Sequence, residues 1–273
     1  MKVTVLLDNR TKSDTFSVEH GLSVYVEVNG KKCLLDLGLS DAFISNAQKM
    51  GIDIAEIDYV FLSHGHVDHV GGLPYFLQLN SKAQIIMHEK ALSQKYFSKR
   101  NGFKDIGLKL DLSEHIHRFK LLTATTIIDE NIRVITQIAH PYASPKANAT
   151  LYKDAGNGLE PDDFNHELIV CFGKEELIVS TGCAHNGLLN ILHTVDKEIG
   201  LPIKIVVGGF HLLDADETHQ YESYQELEQI ALKLKQDYTT TTFYTGHCTG
   251  DLVVNQLKKI VTNQINQFYV GMD

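Results

Sequence analysis

Four apolar stretches of this chain end alike, in a tight glycine-containing turn that carries histidine: "YVFLSHGHVDHVGGL" from Tyr59, "LIVSTGCAHNGLLNIL" from Leu177, "IKIVVGGFHLL" from Ile203 and "TTFYTGHCTGDLVV" from Thr241. No other feature constrains the fold as much. Each run reads as a strand, and in at least three a helical pattern follows. Their spacing is irregular, so they are not the repeats of a solenoid. In α/β sheets the loops at the carboxyl ends of the strands gather on one edge, and ligands bind at that edge. Histidines delivered by four such loops would converge on one site although they are far apart in sequence.

The rest of the chain alternates between short β-branched runs and helical patterns. Val3–Leu7, Leu22–Val28 and Lys32–Leu37 read as strands, with Asn29-Gly30 as a hairpin turn between the last two. Ser40 or Asp41 can cap a helix that runs to Met50, where Gly51 supplies a left-handed stop. A strand is expected at Tyr59–Leu62, a helix at about Gly72–Leu79, a strand at Gln84–Met87 and a helix at Glu89–Phe97. Leu168–Phe172 and Leu177–Thr181 read as a hairpin, followed by a helix from Asn186 to Ile199. Ser223 and Glu226 have capping-box spacing, ahead of Leu227, Ile230, Ala231 and Leu234 at helical intervals. No linker or low-complexity tract interrupts the pattern, which predicts a single domain over 1–273. Residues 141–165 are rich in turn formers and read as a long loop near the active site, of the kind that forms lids or binding segments.

Charge narrows the function. Asp plus Glu outnumber Lys plus Arg by 34 to 25, and a net charge of −9 disfavours nucleic acid as a partner. The amino end lacks the features of a signal peptide and no apolar run approaches the length of a membrane span, so the expectation is a cytoplasmic protein without membrane contact. Four scattered cysteines fit reduced thiols. Cys33 and Cys171 lie in apolar runs and read as small buried side chains; Cys183 and Cys248 lie beside histidines.

Neutral imidazoles with a carboxylate suit Zn²⁺, Fe or Mn²⁺, and a site with one open position lowers the pKa of bound water to about 7. His64 and His66 stand two apart across Gly65, so both rings can face one ion. Asp68 and His69, on the same turn, can serve a second ion nearby. His64-Gly65-His66-Val67-Asp68-His69 resembles the H-x-H-x-D-H signature of the metallo-β-lactamase superfamily, and "CLLDLG" ahead of it resembles that superfamily's strand ending in Asp36 and Gly38. With "STGCAHNGLLNIL", "VVGGFHL" and "GHCTG" in order over nearly the whole chain, the sequence resembles the branch of dihydropterin-ribofuranosyl-aminobenzene phosphate synthases and related metal-dependent hydrolases.

The resemblance implies an α/β fold, a four-layer αββα sandwich of two mixed sheets with the metal site at one edge. It implies two divalent ions, zinc before manganese or iron. His64, His66 and His185 would hold the first, and Asp68, His69 and His247 the second. Many members place a bridging aspartate where this chain has Cys183, which either ligates metal in its stead or only packs. His211 is left as a metal ligand, a substrate-phosphate contact or a general acid; with Asp68, which could shuttle a proton, it is the catalytic candidate. Asp36 is read as orienting a ligand imidazole or its loop. His20, His88, His115, His117, His193 and His219 match no strand end and read as structural; His140 and His166, which flank the loop, read as structural or as substrate contacts. Tyr142, Tyr152 and Phe164 either stack on a flat ring or anchor the loop. The expected activity is hydrolysis of a phosphoester or other ester-like bond in a small anionic substrate, pterin-related if the resemblance extends that far. Iron-dependent redox chemistry on the same fold, or ligand binding by a non-catalytic metal protein, are the alternatives.

Overall fold

A computed structural model describes residues 1–273. From the amino end the chain forms β1 (Lys2–Leu7), β2 (Ser23–Val28), β3 (Lys31–Leu35), α1 (Ala42–Lys49), β4 (Tyr59–Leu62), α2 (Val67–Val70), α3 (Leu73–Leu79), β5 (Gln84–His88) and α4 (Glu89–Ser93). The middle holds β6 (Tyr96–Ser98), β7 (Lys104–Asp105), β8 (Phe119–Leu122), β9 (Thr126–Asp129), β10 (Ile132–Ile135), β11 (Leu151–Asp154) and β12 (Leu159–Pro161). The last part comprises β13 (Ile169–Phe172), β14 (Leu177–Ser180), α5 (Leu188–Glu198), β15 (Ile203–Val207), α6 (Tyr224–Asp237), β16 (Thr242–Thr245), α7 (Asp251–Val261) and β17 (Ile265–Gln267).

Two mixed sheets organise these elements, one in the order β1-β2-β3-β4-β5-β8 and one in the order β17-β16-β15-β14-β13-β10-β9. In the first, β1 to β3 run antiparallel and β3, β4, β5 and β8 parallel. In the second, β14 to β17 run parallel and the rest antiparallel. The alternation of side chains along each strand sorts them between layers. Phe61 of β4 points between the sheets and meets Phe172 edge-on at 6.0 Å, while its neighbours Val60 and Leu62 join a second cluster with Phe43 of α1 and Phe76 of α3. Val24, Val26 and Val28 of β2 fill the same inter-sheet layer as Phe61. A third cluster joins the outer face of the second sheet to Leu188 and Ile191 of α5, Leu227 and Leu234 of α6, and Val253 and Leu257 of α7. Helices of eight to fourteen residues are marginal alone. Each buried Leu or Phe adds roughly 1.5–3 kcal/mol, so docking on the sheets is what stabilises them. The result is the expected four-layer αββα sandwich. No helix is long and apolar enough to cross a membrane.

Local signals hold where expected. Asn29 and Gly30 both have positive φ, 48° and 75°, as a two-residue hairpin of this twist requires, and the Ser223–Glu226 capping box is formed. Two expectations need correction. The helix from Glu89 stops at Ser93 rather than Phe97, because Tyr96 to Ser98 pair with Leu151 to Lys153. The segment 141–165 is not only loop: β11 and β12 within it join β6 and β7 in a four-stranded antiparallel sheet, β12-β11-β6-β7. A distant pairing partner outweighed local propensity in both places.

Candidate metal centre

The strand-end histidines do meet. His64, His66 and His69 follow β4, His185 follows β14, His211 follows β15 and His247 follows β16, and all six are buried. The turns that deliver them are strained. Asp36, Phe164, Ala184, His211 and His247 all have left-handed backbone, with φ of 58°, 51°, 56°, 49° and 52°. For non-glycine residues this costs about 1–3 kcal/mol each, and it persists where the surroundings dictate it.

Hydrogen bonds from outside fix which nitrogen of each ring faces inward. The Asp36 carboxylate accepts the Ser63 N–H at 2.7 Å, the Ser63 hydroxyl at 2.7 Å and His69 Nδ1–H at 2.7 Å. Ser63 has spent its only proton on Asp36, so toward His64 Nδ1, 2.8 Å away, it can only accept. His64 therefore carries its proton on Nδ1 and presents a bare Nε2. Asn148 Oδ1 stands 3.1 Å from His185 Nδ1, and Asn9 Oδ1 stands 3.3 Å from His247 Nδ1. The inward nitrogens then face each other in pairs, His64 with His185 at 3.3 Å and His69 with His247 at 3.1 Å. Two lone pairs at that distance repel unless a cation lies between them.

The electrostatics agree. Burial, with neighbouring histidines, holds His64 and His185 well below the usual imidazole value, and lowers His66 to about 3. These rings are neutral donors. Burial would lower His69 as well, but Asp36 and Asp68 outweigh it and push it up to about 9. Burial also pushes Asp68 up, yet His69 and a hydrogen bond with His247 keep its carboxyl ionised, well below the usual range.

A family model of the metallo-beta-lactamase superfamily matches residues 17–170. The chain belongs to that superfamily. Across 98% of its length it is 25% identical to the 7,8-dihydropterin-6-methyl-4-(beta-D-ribofuranosyl)-aminobenzene-5'-phosphate synthase of Methanocaldococcus jannaschii, of which the match spans 94%. An uncharacterized protein of the same organism is 29% identical over 98% of this chain and 96% of its own. Among solved structures, Tm1679, described as a metal-dependent hydrolase of the beta-lactamase superfamily, superimposes with a TM-score of 0.81 at 31% identity, over 99% of this chain and 96% of that one.

Members of the metallo-β-lactamase superfamily are metal-dependent hydrolases, and the residues here fit a divalent ion. His66 Nε2 is buried without a hydrogen-bond partner, beside His64 and His185 at ring distances of 4.5 and 5.0 Å. Asp68 Oδ2 lies 3.2 Å from His247 Nε2 and 3.6 Å from His69 Nε2. The Cys183 sulfur lies within 4.8 Å of the ligand nitrogens of both pairs, and 3.1 Å from His69 Nε2. His211 lies 4.2 Å, ring to ring, from His185. His66, Asp68, Cys183, His185, His211 and His247 thus line one cavity, and His64 and His69 pack against His185 and His247 at ring distances of 4.8 Å each.

Other residues of this superfamily member were hidden from the sequence. His20, outside every strand end, stacks on His247 at 5.0 Å and reaches Asp68 at 3.4 Å. Glu167, buried and raised to about 7 by that burial, accepts the N–H groups of His185 and Asn186 and so seats the His185 turn. His166 accepts the Gly65 N–H and bonds Asp162. Of the aromatic residues, Phe164 stacks on His185 at 4.4 Å, so it anchors rather than binds. Tyr152 lies under Lys99, and Tyr142 lines a different cavity.

Proposed function

We propose that this protein is a metal-dependent hydrolase acting on a phosphoester or similar ester bond of a small anionic substrate. The observation that carries the reading is the facing pairs of inward-aimed imidazole nitrogens, beside a cavity of about 530 Å³ walled by Asp68, Arg100 and Lys104. His64, His66 and His185 would hold one divalent ion, and Asp68, His69 and His247 a second. Zinc suits this imidazole-rich, thiol-flanked set better than manganese or iron. When bound, such ions supply a water ionised near neutral pH and positive charge for a developing oxyanion.

The chain's own side chains do the rest. Asp36 and Ser63 hold His69 and His64 in the tautomers that present Nε2. Asp68, ionised at the cavity face and 3.4 Å from the half-exposed His20, is placed to accept a proton and pass it outward. Arg100 and Lys104 line the same cavity and form no ion pair, so their charge is available to a substrate anion; Asp105, on the same wall, pairs with Lys109. A net charge of −9 argues against a polyanion such as nucleic acid. Similarity to a pterin-linked phosphate synthase makes small phosphate esters bearing a flat ring the first class to assay.

Protein stripped by chelator and reloaded with Zn²⁺ or Mn²⁺ should hydrolyse bis-p-nitrophenyl phosphate or a phosphate ester from a panel, and stripped protein should not. Asp68→Asn should lower kcat by about 10²- to 10⁴-fold while the His64 set keeps its ion. Fully metallated protein that hydrolyses no ester, yet consumes oxygen with iron bound, would replace this reading with redox chemistry.

A further inference from the structure

Four cysteines are buried, but they divide into two kinds. Cys33 and Cys171 pack inside hydrophobic clusters, as small apolar side chains do. Cys183 and Cys248 belong to no such cluster and line the metal cavity instead, together with His211. The two sulfurs and a ring nitrogen of His211 all lie within 4.8 Å of one another. Neither nitrogen of His211 has a hydrogen-bond partner, although the residue is only 6% exposed. A buried imidazole left so is a costly arrangement, and a native structure needs a reason for it. Its left-handed backbone, φ 49°, is a further strain incurred to aim the ring where it is. Gly209 shapes the other wall: a side-chain carbon there would overlap the Cys248 sulfur, so only glycine lets the chain pass over it.

We propose that Cys183, His211 and Cys248 form a third ligand set, for a soft metal ion such as Zn²⁺, Cd²⁺ or Cu⁺, beside the two histidine-rich sets. Thiolate sulfur with one imidazole selects such ions over Mn²⁺ or Mg²⁺. On binding, each thiol releases its proton to solvent and each sulfur donates a lone pair, as does one nitrogen of His211. No electrons are transferred and no disulfide forms. Cys183 is the shared corner, since its sulfur also stands within 4.8 Å of the ligand nitrogens of His64 and His185 and of His69 and His247. The cavity that these side chains line gives the ion a route from solvent.

The test needs no turnover. Protein stripped under reducing conditions and loaded with zinc should show, by X-ray absorption at the zinc edge, sulfur scatterers at about 2.3 Å. Titration with Co²⁺ should give a near-ultraviolet thiolate-to-metal band. Cys248→Ser and His211→Gln, checked for folding by thermal melting, should each bind one equivalent of metal fewer than the parent, and Cys248→Ser should lose about half of the sulfur signal. Zinc-loaded wild-type protein without sulfur scattering would overturn the proposal, and so would a folded Cys248→Ser variant with undiminished metal content. A sulfur signal in protein that hydrolyses nothing would leave the third set standing and remove the hydrolase reading; hydrolysis without the signal would do the reverse.

Discussion

The histidine cradle and the small sheet β12-β11-β6-β7 border the same cavity but are built in opposite ways. In the cradle His64, His69 and Asp36 are at most 1% exposed, the rings of His64, His69, His185 and His247 are each aimed by a named oxygen, and the backbone is held in left-handed turns. In the small sheet the strands are two to four residues long, Phe103 is 62% exposed and stacks on Phe97, and Lys104 reaches the cavity from the surface. Tyr96 of β6 is fully buried against His166, but β7 and β12 are exposed along their whole length, and such few buried contacts mean low local stability, which is what a segment that closes over ligands needs. Rigid strand ends place the chemistry, and a loosely held sheet presents the charges that recognise substrate. If that division is real, substitutions on the two sides should fail differently.

Asp36→Ala should have the largest effect. Its carboxylate accepts three hydrogen bonds and orients His69 directly and His64 through Ser63. Removing it leaves the buried Ser63 N–H without its acceptor and both rings free to turn. Metal affinity, measured by competition with a chromophoric chelator, should drop by about 10- to 100-fold. The metal-free protein should lose about 3–5 kcal/mol in denaturant unfolding. Asp36→Asn should recover part of the stability but little of the affinity, because its amide must present a donor to a neighbour that also donates.

Arg100→Ala and Lys104→Ala probe the opposite side. Each should raise KM for an anionic ester by about tenfold, equivalent to roughly 1.4 kcal/mol, with kcat and metal content within twofold of the parent. A fall in kcat at constant KM would break the comparison, since it would place these charges in the reacting centre rather than in recognition.

How much of this was legible depended on how local each signal was. The layers follow from strands such as β2 and β4, whose alternate residues belong to different clusters, and the cradle follows from histidines placed just past apolar runs. Asp36 could be assigned an orienting role because it also ends a strand. Ser63 carried no assignment, and only the fold shows that it relays Asp36 to His64. His20 and Arg100 gave no sign, for they reach the cavity from a loop and a short strand connection whose positions depend on contacts far along the chain. Tyr96 carries a helical pattern from Glu89, yet its backbone finds Lys153, fifty-seven residues on. Pairings of that range leave no periodicity to read.

The smallest effect comes from a site that belongs to neither region, and it supplies the yardstick for the others. Ser223 caps α6: its hydroxyl accepts the Glu226 N–H while the Glu226 carboxylate takes the Ser223 N–H at 2.7 Å. Neither residue lines the metal cavity. Ser223→Ala removes one partner of an exposed helix end, where water replaces the lost bond, so the loss should be about 1 kcal/mol. For a chain of this size that is a fall of about 2–4 °C in Tm, read by differential scanning calorimetry. Metal content, kcat and KM should stay at parental values. Should Ser223→Ala disturb KM as much as Arg100→Ala does, the effects at Arg100 would reflect general loosening of the fold, and the case for a separate recognition surface would fail with them.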